Sequence, residues 1–131
     1  NSIILEGSSP RNKLLNSYNK IDIALDPFPY SGGVTSLEAI WMGVPVLTKK
    51  GFRFVSHTTE SINHNSGMSD WVASDENEYV KKAIKFSKDL KLLTDINKNL
   101  RQKALKSPLF NSAHFAKQLN KAFWEMWNNF I

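Results

Sequence analysis

The stretch that most restricts this chain is "IDIALDPFPYSGGVTSLEAIWMGVPVLT", residues 21–48. Ile21, Ile23 and Leu25 alternate with Asp22, Ala24 and Asp26, the period of a strand. A rigid proline-bearing turn follows, with Gly32 and Gly33 at its end. A helix is expected over about residues 35–42, with Leu37, Ile40 and Trp41 as its inward face. Gly43 ends that helix, and Pro45 marks the entry to a second strand, "VPVLT". Strand, helix and strand with short connections form the rhythm of a parallel sheet.

Upstream, "SIILEG" reads as a buried strand, and Ser8-Ser9-Pro10 as a helix start with Pro in the first turn. Leu14, Leu15 and Tyr18 give that helix its apolar side. Downstream the pattern turns helical. A loop and short helix close near Gly67, and "DWVAS" is expected as a short edge strand. Ser74 or Asp75 caps a helix carrying Val80, Ala83, Ile84 and Leu90. A further helix spans about residues 92–105. A last helix carries Phe115, Leu119, Ala122, Phe123, Met126, Trp127 and Phe130 at three- and four-residue spacing, a stripe expected in core or inter-domain packing. The 131 residues suit one domain, taken as 1–131.

The formal charge of +5 admits an anionic partner. The lysines are interspersed with acids, which reads as solvated helix faces rather than a nucleic-acid stripe. With no cysteine, disulfides and thiolate metal sites are excluded. No apolar run approaches a membrane span, and no signal peptide is visible.

The glycine-rich turn leaves the carboxyl end of a strand, where ligands of open α/β sheets gather. A helix start offers unpaired N–H groups and partial positive charge, and glycine lets a phosphate approach them. Thr35 and Ser36 can add hydroxyl donors. The spacing is neither a Walker loop nor a GxGxxG fingerprint, so an ordinary strand-to-helix turn stands beside a phosphate site. Glu38 likewise has two readings. Thr35-x-x-Glu38 fits a capping box; alternatively the carboxylate takes sugar hydroxyls. His57 and His64 invite catalytic or metal readings; for His57, in the loop after "VPVLT", a phosphate or acceptor contact stands beside a solvated loop residue. His114 is expected to be structural. Three scattered histidines without cysteine do not suggest a metal site. Asp22 and Asp26 match a glycosidase dyad by composition alone, so Asp22 is expected to flank a strand and Asp26 to anchor the turn.

In order, "DIALDPFPYSGGVTSLEAIWMGVPVLT", "GMSDWVAS" and "SPLFNSAHFAKQLNKAFWEMW" resemble the carboxyl-terminal half of the O-GlcNAc transferase family, most of all its bacterial SPINDLY-like members with tetratricopeptide repeats. The resemblance implies a Rossmann-like parallel sheet flanked by helices with a helical C-terminal end, the incomplete second domain of a two-domain GT-B glycosyltransferase. It implies a cytoplasmic enzyme that moves a sugar from a UDP-sugar to protein Ser or Thr and needs no metal or other cofactor. Nucleic acid and membrane are not among the implied partners. Ser9 would offer its backbone to the uracil, and Arg11 stands where a lysine is usual. Leu14 stands where animal members place a histidine against the base. Gly32 precedes the diphosphate turn, Gly33-Val34-Thr35, which reads His-Thr-Thr in animal members; here Thr35 and backbone N–H groups remain as donors. Glu38 replaces an Asp that takes the ribose hydroxyls. The acceptor half and a diphosphate-binding lysine would lie upstream, so these residues alone are expected to be inactive. The competing expectations are a non-catalytic nucleotide-binding or protein-interaction module, or a GT-B transferase with another sugar.

Overall fold

A computed structural model describes residues 3–130. Three short parallel strands lie in the order β1 (Ala24–Leu25), β2 (Val46–Lys49), β3 (Val72–Ala73). Ala24 pairs with Val46 and Leu25 with Leu47; Thr48 pairs with Val72 and Lys49 with Ala73. As expected, "DWVAS" supplies an edge strand. The described residues form six α-helices: α1 (Arg11–Ser17), α2 (Val34–Trp41), α3 (Thr58–Asn65), α4 (Glu76–Ser87), α5 (Leu90–Leu105) and α6 (Ser112–Phe130). The α/β class with a parallel sheet is therefore the observed one.

Central strand β2 touches α2, α3 and α4, and α5 lies against α2 and α4. Ile40, Leu47 and Leu100 are wholly buried where these elements meet. Trp71 stacks on Phe86 with ring centroids 4.3 Å apart. Asn63 ties α3 to the sheet by donating its amide to the Val46 carbonyl at 2.8 Å and the Trp71 carbonyl at 3.3 Å. Gly43 ends α2 at φ +83°, and a side chain there would strike the Asn97 carbonyl of α5 at 2.7 Å. The stop is thus set by conformation and by close helix packing together.

Leu90, expected on the helix that Ser74 or Asp75 caps, instead opens α5, and two strand expectations fail. The "SIILEG" segment is not a strand: Ser2 lies outside the described residues, and Ile3, Ile4 and Leu5 are at least 77% exposed. An apolar run becomes a strand only beside a partner that takes its N–H and C=O groups, and no described strand pairs with it. The strand expected over residues 21–26 shrinks to Ala24–Leu25 with its burial inverted: Leu25 is exposed and Asp26 buried. Hydrogen bonding decides that inversion, because both Asp26 carboxylate oxygens are engaged. Of the two readings of the α6 stripe, core packing is excluded, because α6 buries none of its side chains, and inter-domain packing remains. Among the described residues no helix is long and apolar enough to cross a membrane.

Candidate functional site

The turn between β1 and α2 is built around the Gly32 peptide. Asp26, at the end of β1, accepts the Gly32 N–H on Oδ1 at 2.7 Å and the Thr48 hydroxyl of β2 on Oδ2 at 2.6 Å. The carbonyl side of Gly32 is held by α3, where the Thr59 hydroxyl donates to it at 2.9 Å. Ser31 donates its hydroxyl to the Val55 carbonyl at 2.7 Å and accepts the Thr59 N–H at 3.4 Å. The expected role of Asp26 as anchor is thus observed. Asp22 is exposed ahead of β1.

Gly32 has no room for a side chain. A Cβ there would overlap Ser36 Oγ and approach Thr35 Oγ1 to 2.8 Å and Asp26 Oδ1 to 3.1 Å. Gly33 is different, since its nearest neighbour would be Thr58 Cγ2 at 3.7 Å, an ordinary contact. Gly33 is the N-cap of α2 and supplies no side-chain cap. The first N–H groups of α2 therefore have neither an intrahelical nor a side-chain acceptor. By contrast, Asp75 caps α4 and Asp89 caps α5.

The capping-box reading of Thr35 and Glu38 is ruled out. Helix α2 begins at Val34, so Thr35 is inside its first turn and Glu38 lies beyond reach of the N-cap. Glu38, 8% exposed, instead pairs with Arg11 of α1, Oε1 to Nη1 at 3.1 Å. Arg11 and Glu38, far apart in sequence, line one cavity of about 430 Å³ with Val34, Leu37, Trp41 and Phe110. Thr35 opens on a separate cavity of about 220 Å³, on the other face of α2, shared with Asp26, Ser36 and Tyr18. The Tyr18 hydroxyl donates to the Thr35 carbonyl at 3.2 Å. Burial pushes the Tyr18 phenol above its ordinary value, and the Glu38 charge adds to the effect.

The expected site residues divide between two faces of α2 and the turn that leads into it. Arg11, Val34 and Glu38 meet in the larger cavity, Thr35 faces the smaller, and Gly32 and Gly33 form the turn between β1 and α2. Ser9 is half-buried just before α1 and lines neither cavity. Ser36 is unavailable as a ligand donor: it is buried and its hydroxyl meets Thr59 Oγ1 at 2.9 Å.

Beside the turn, His57 caps the start of α3, and its Nδ1 lies 2.5 Å from Glu60 Oε2. Glu60 is also approached by His64 at 3.8 Å and Lys50 at 3.9 Å. Sequence reasoning missed this Glu60 partnership and the role of Thr59. The i,i+3 spacing of His57 and Glu60 on a helix start was the available signal for the first. Nothing local signals the second. His114 sits at the start of α6, its N–H bonded to Asn111 Oδ1. Among the described residues no group of three or more His, Asp or Glu could hold a metal ion.

Comparison with known proteins identifies the family. Residues 1–119 match the family model described as glycosyl transferase family 41. The chain is 34% identical over 116 residues to a probable UDP-N-acetylglucosamine–peptide N-acetylglucosaminyltransferase SPINDLY of Solanum lycopersicum, covering 88% of this chain and 12% of that protein. The SEC protein of Arabidopsis thaliana, named for the same probable activity, is 27% identical over 82% of this chain and 11% of its own length. An O-GlcNAc transferase mutant of Thermobaculum terrenum superposes with a TM-score of 0.84 at 37% identity, covering 92% of this chain and 23% of that one. The chain spans only about an eighth of the curated relatives' length, but the family match runs over nearly all of it: the chain belongs to glycosyl transferase family 41.

Proposed function

We propose that this chain is the UDP-sugar-holding part of a protein O-glycosyltransferase of the O-GlcNAc transferase kind. The observation that carries the proposal is the uncapped, glycine-led start of α2 beside the Arg11–Glu38 pair, within the family-matched segment. The amides of Gly33, Val34 and Thr35 take the diphosphate, with the Thr35 hydroxyl as a further donor. A helix start suits such a ligand because its N–H groups and dipole both favour negative charge. Glu38 takes the ribose hydroxyls, with Arg11 holding the carboxylate at the cavity rim. Ser9 offers its backbone to the base at the outer end.

The sugar donor is UDP-linked and the acceptor a peptide, the pair that the relatives' names print, and the proposal takes Ser or Thr as the accepting side chain. Charge on the departing diphosphate is met by backbone dipoles fixed in advance, and the proposal invokes no metal. Acceptor binding and the remainder of the catalytic geometry belong to parts of the enzyme beyond these residues. A cytoplasmic setting belongs to the same proposal.

The test is calorimetry on the full-length protein with UDP, UDP-GlcNAc, UDP-glucose and GDP, for wild type and Glu38→Gln. Uridine nucleotides are expected to bind in preference to GDP, and Glu38→Gln to weaken them. Its melting temperature should hardly move, because Arg11 is 72% exposed and rim ion pairs contribute only about 0–1 kcal/mol. Unchanged UDP affinity in the folded variant contradicts the ribose role, and equal binding of GDP contradicts the choice of nucleotide.

A further inference from the structure

Thr59 sits wholly buried in the first turn of α3, 27 residues beyond the Gly32 that it touches. Its hydroxyl has one proton, and that proton goes to the Gly32 carbonyl at 2.9 Å. Ser36 must then be the donor in the 2.9 Å contact between the two hydroxyls. Thr59 is thus satisfied as donor and acceptor, and its position is not adjustable. The peptide joining Gly32 to Gly33 is not cis. In a planar trans peptide the C=O and N–H point in opposite directions. Fixing the Gly32 carbonyl on Thr59 therefore fixes the Gly33 N–H away from α3. On the other side of the Gly32 Cα, Asp26 holds the Gly32 N–H, so the preceding Ser31–Gly32 peptide is anchored as well.

We infer that Thr59 is a positioning residue for the donor diphosphate, acting through the Gly32 carbonyl to aim the Gly33 amide. This rests on the UDP-sugar proposal above and adds to it which residue outside the turn sets the turn's geometry. Thr59 does not touch the ligand. Its effect falls on the diphosphate and leaves the base and ribose contacts of Ser9, Arg11 and Glu38 untouched. The start of α3 also lies close to the turn at Gly33, where an added Cβ would come within 3.7 Å of Thr58 Cγ2.

The experiment measures the affinities of UDP and uridine for the full-length wild type, Thr59→Val, Thr59→Cys and Thr59→Ser, with thermal melts beside them. Valine matches the shape without the hydroxyl. Losing an aimed donor to a charged group should weaken UDP by about tenfold or more in Thr59→Val while uridine stays within about twofold. The thiol of Thr59→Cys is a poor donor and should show the same selective loss in a milder form. Thr59→Ser keeps the hydroxyl and should restore UDP binding. Should Thr59→Val not fold, the Cys and Ser pair gives the decision, and equal UDP affinities in that pair overturn the inference. Equal weakening of UDP and uridine means a merely structural role and overturns it too. A wild type that binds UDP no better than uridine instead removes the diphosphate site itself, so the two failures are told apart.

Discussion

Gly32 and Gly33 are neighbours with opposite tolerances. A methyl at Gly32 collides with the Ser36 hydroxyl, which Thr59 holds in place, whereas a methyl at Gly33 meets only ordinary contact. Gly32→Ala should therefore cost about 1–3 kcal/mol, the range for overpacking, and abolish UDP binding. Gly33→Ala should leave stability within about 0.5 kcal/mol, as for an open site. Urea melts of both variants check this, and equal losses at the two positions would contradict the clamp around Gly32. From the sequence, both glycines look alike; the difference arises only when Thr59 is brought against the turn. Glu38 teaches the same lesson. Its spacing from Thr35 fits a cap, but α2 starts at Val34 and the carboxylate finds Arg11 on another helix. Spacing along one helix could not show a partner from elsewhere in the fold.

Helices away from the candidate site are locally specified, and these were legible. Asp75 accepts the Glu78 N–H at 2.8 Å, and Ser74 donates its N–H and hydroxyl back to Glu78 at 2.7 and 2.6 Å. Asp75→Ala should cost about 0.5–2 kcal/mol, the value of an N-cap, as read by thermal unfolding. Hydrogen bonds from the Ser74 side chain and backbone, then from Lys82, lower the Glu78 carboxyl from 4.5 to about 2. A carboxyl depressed on folding stabilises above its unfolded value, and that contribution is lost as pH falls from about 4.5 towards about 2. Glu78→Gln should remove this part of the acid sensitivity, and an unchanged pH profile would show that the lock does not matter. The strands were harder to read than the helices. Each is two to four residues long, and burial in β1 follows the hydrogen bonds of Asp26 rather than the apolar alternation.

The core of the whole chain lies between β2 and helices α2 to α5, and α6 contributes nothing buried to it. Leu100, 1% exposed, should therefore cost about 2–5 kcal/mol when cut to alanine. Phe123, 55% exposed, should cost less than about 0.5 kcal/mol in this chain despite its place in the aromatic stripe. Denaturant titration of the two variants separates them, and a large loss at Phe123 would mean that α6 packs where the structure leaves it open. The α/β class could be read from residues 21–48, because the glycine-bearing turn and the helix stop at Gly43 are local features. The exposure of α6 and of residues 3–5 could not, since a pattern of apolar residues records a face to be covered without naming what covers it. The central claim is that the start of α2 holds a nucleoside diphosphate. A crystal structure of the full-length protein with UDP tests it most directly. The account predicts diphosphate oxygens within hydrogen-bond distance of the Gly33, Val34 and Thr35 amides and ribose hydroxyls on Glu38. UDP bound with its diphosphate away from that turn would contradict it.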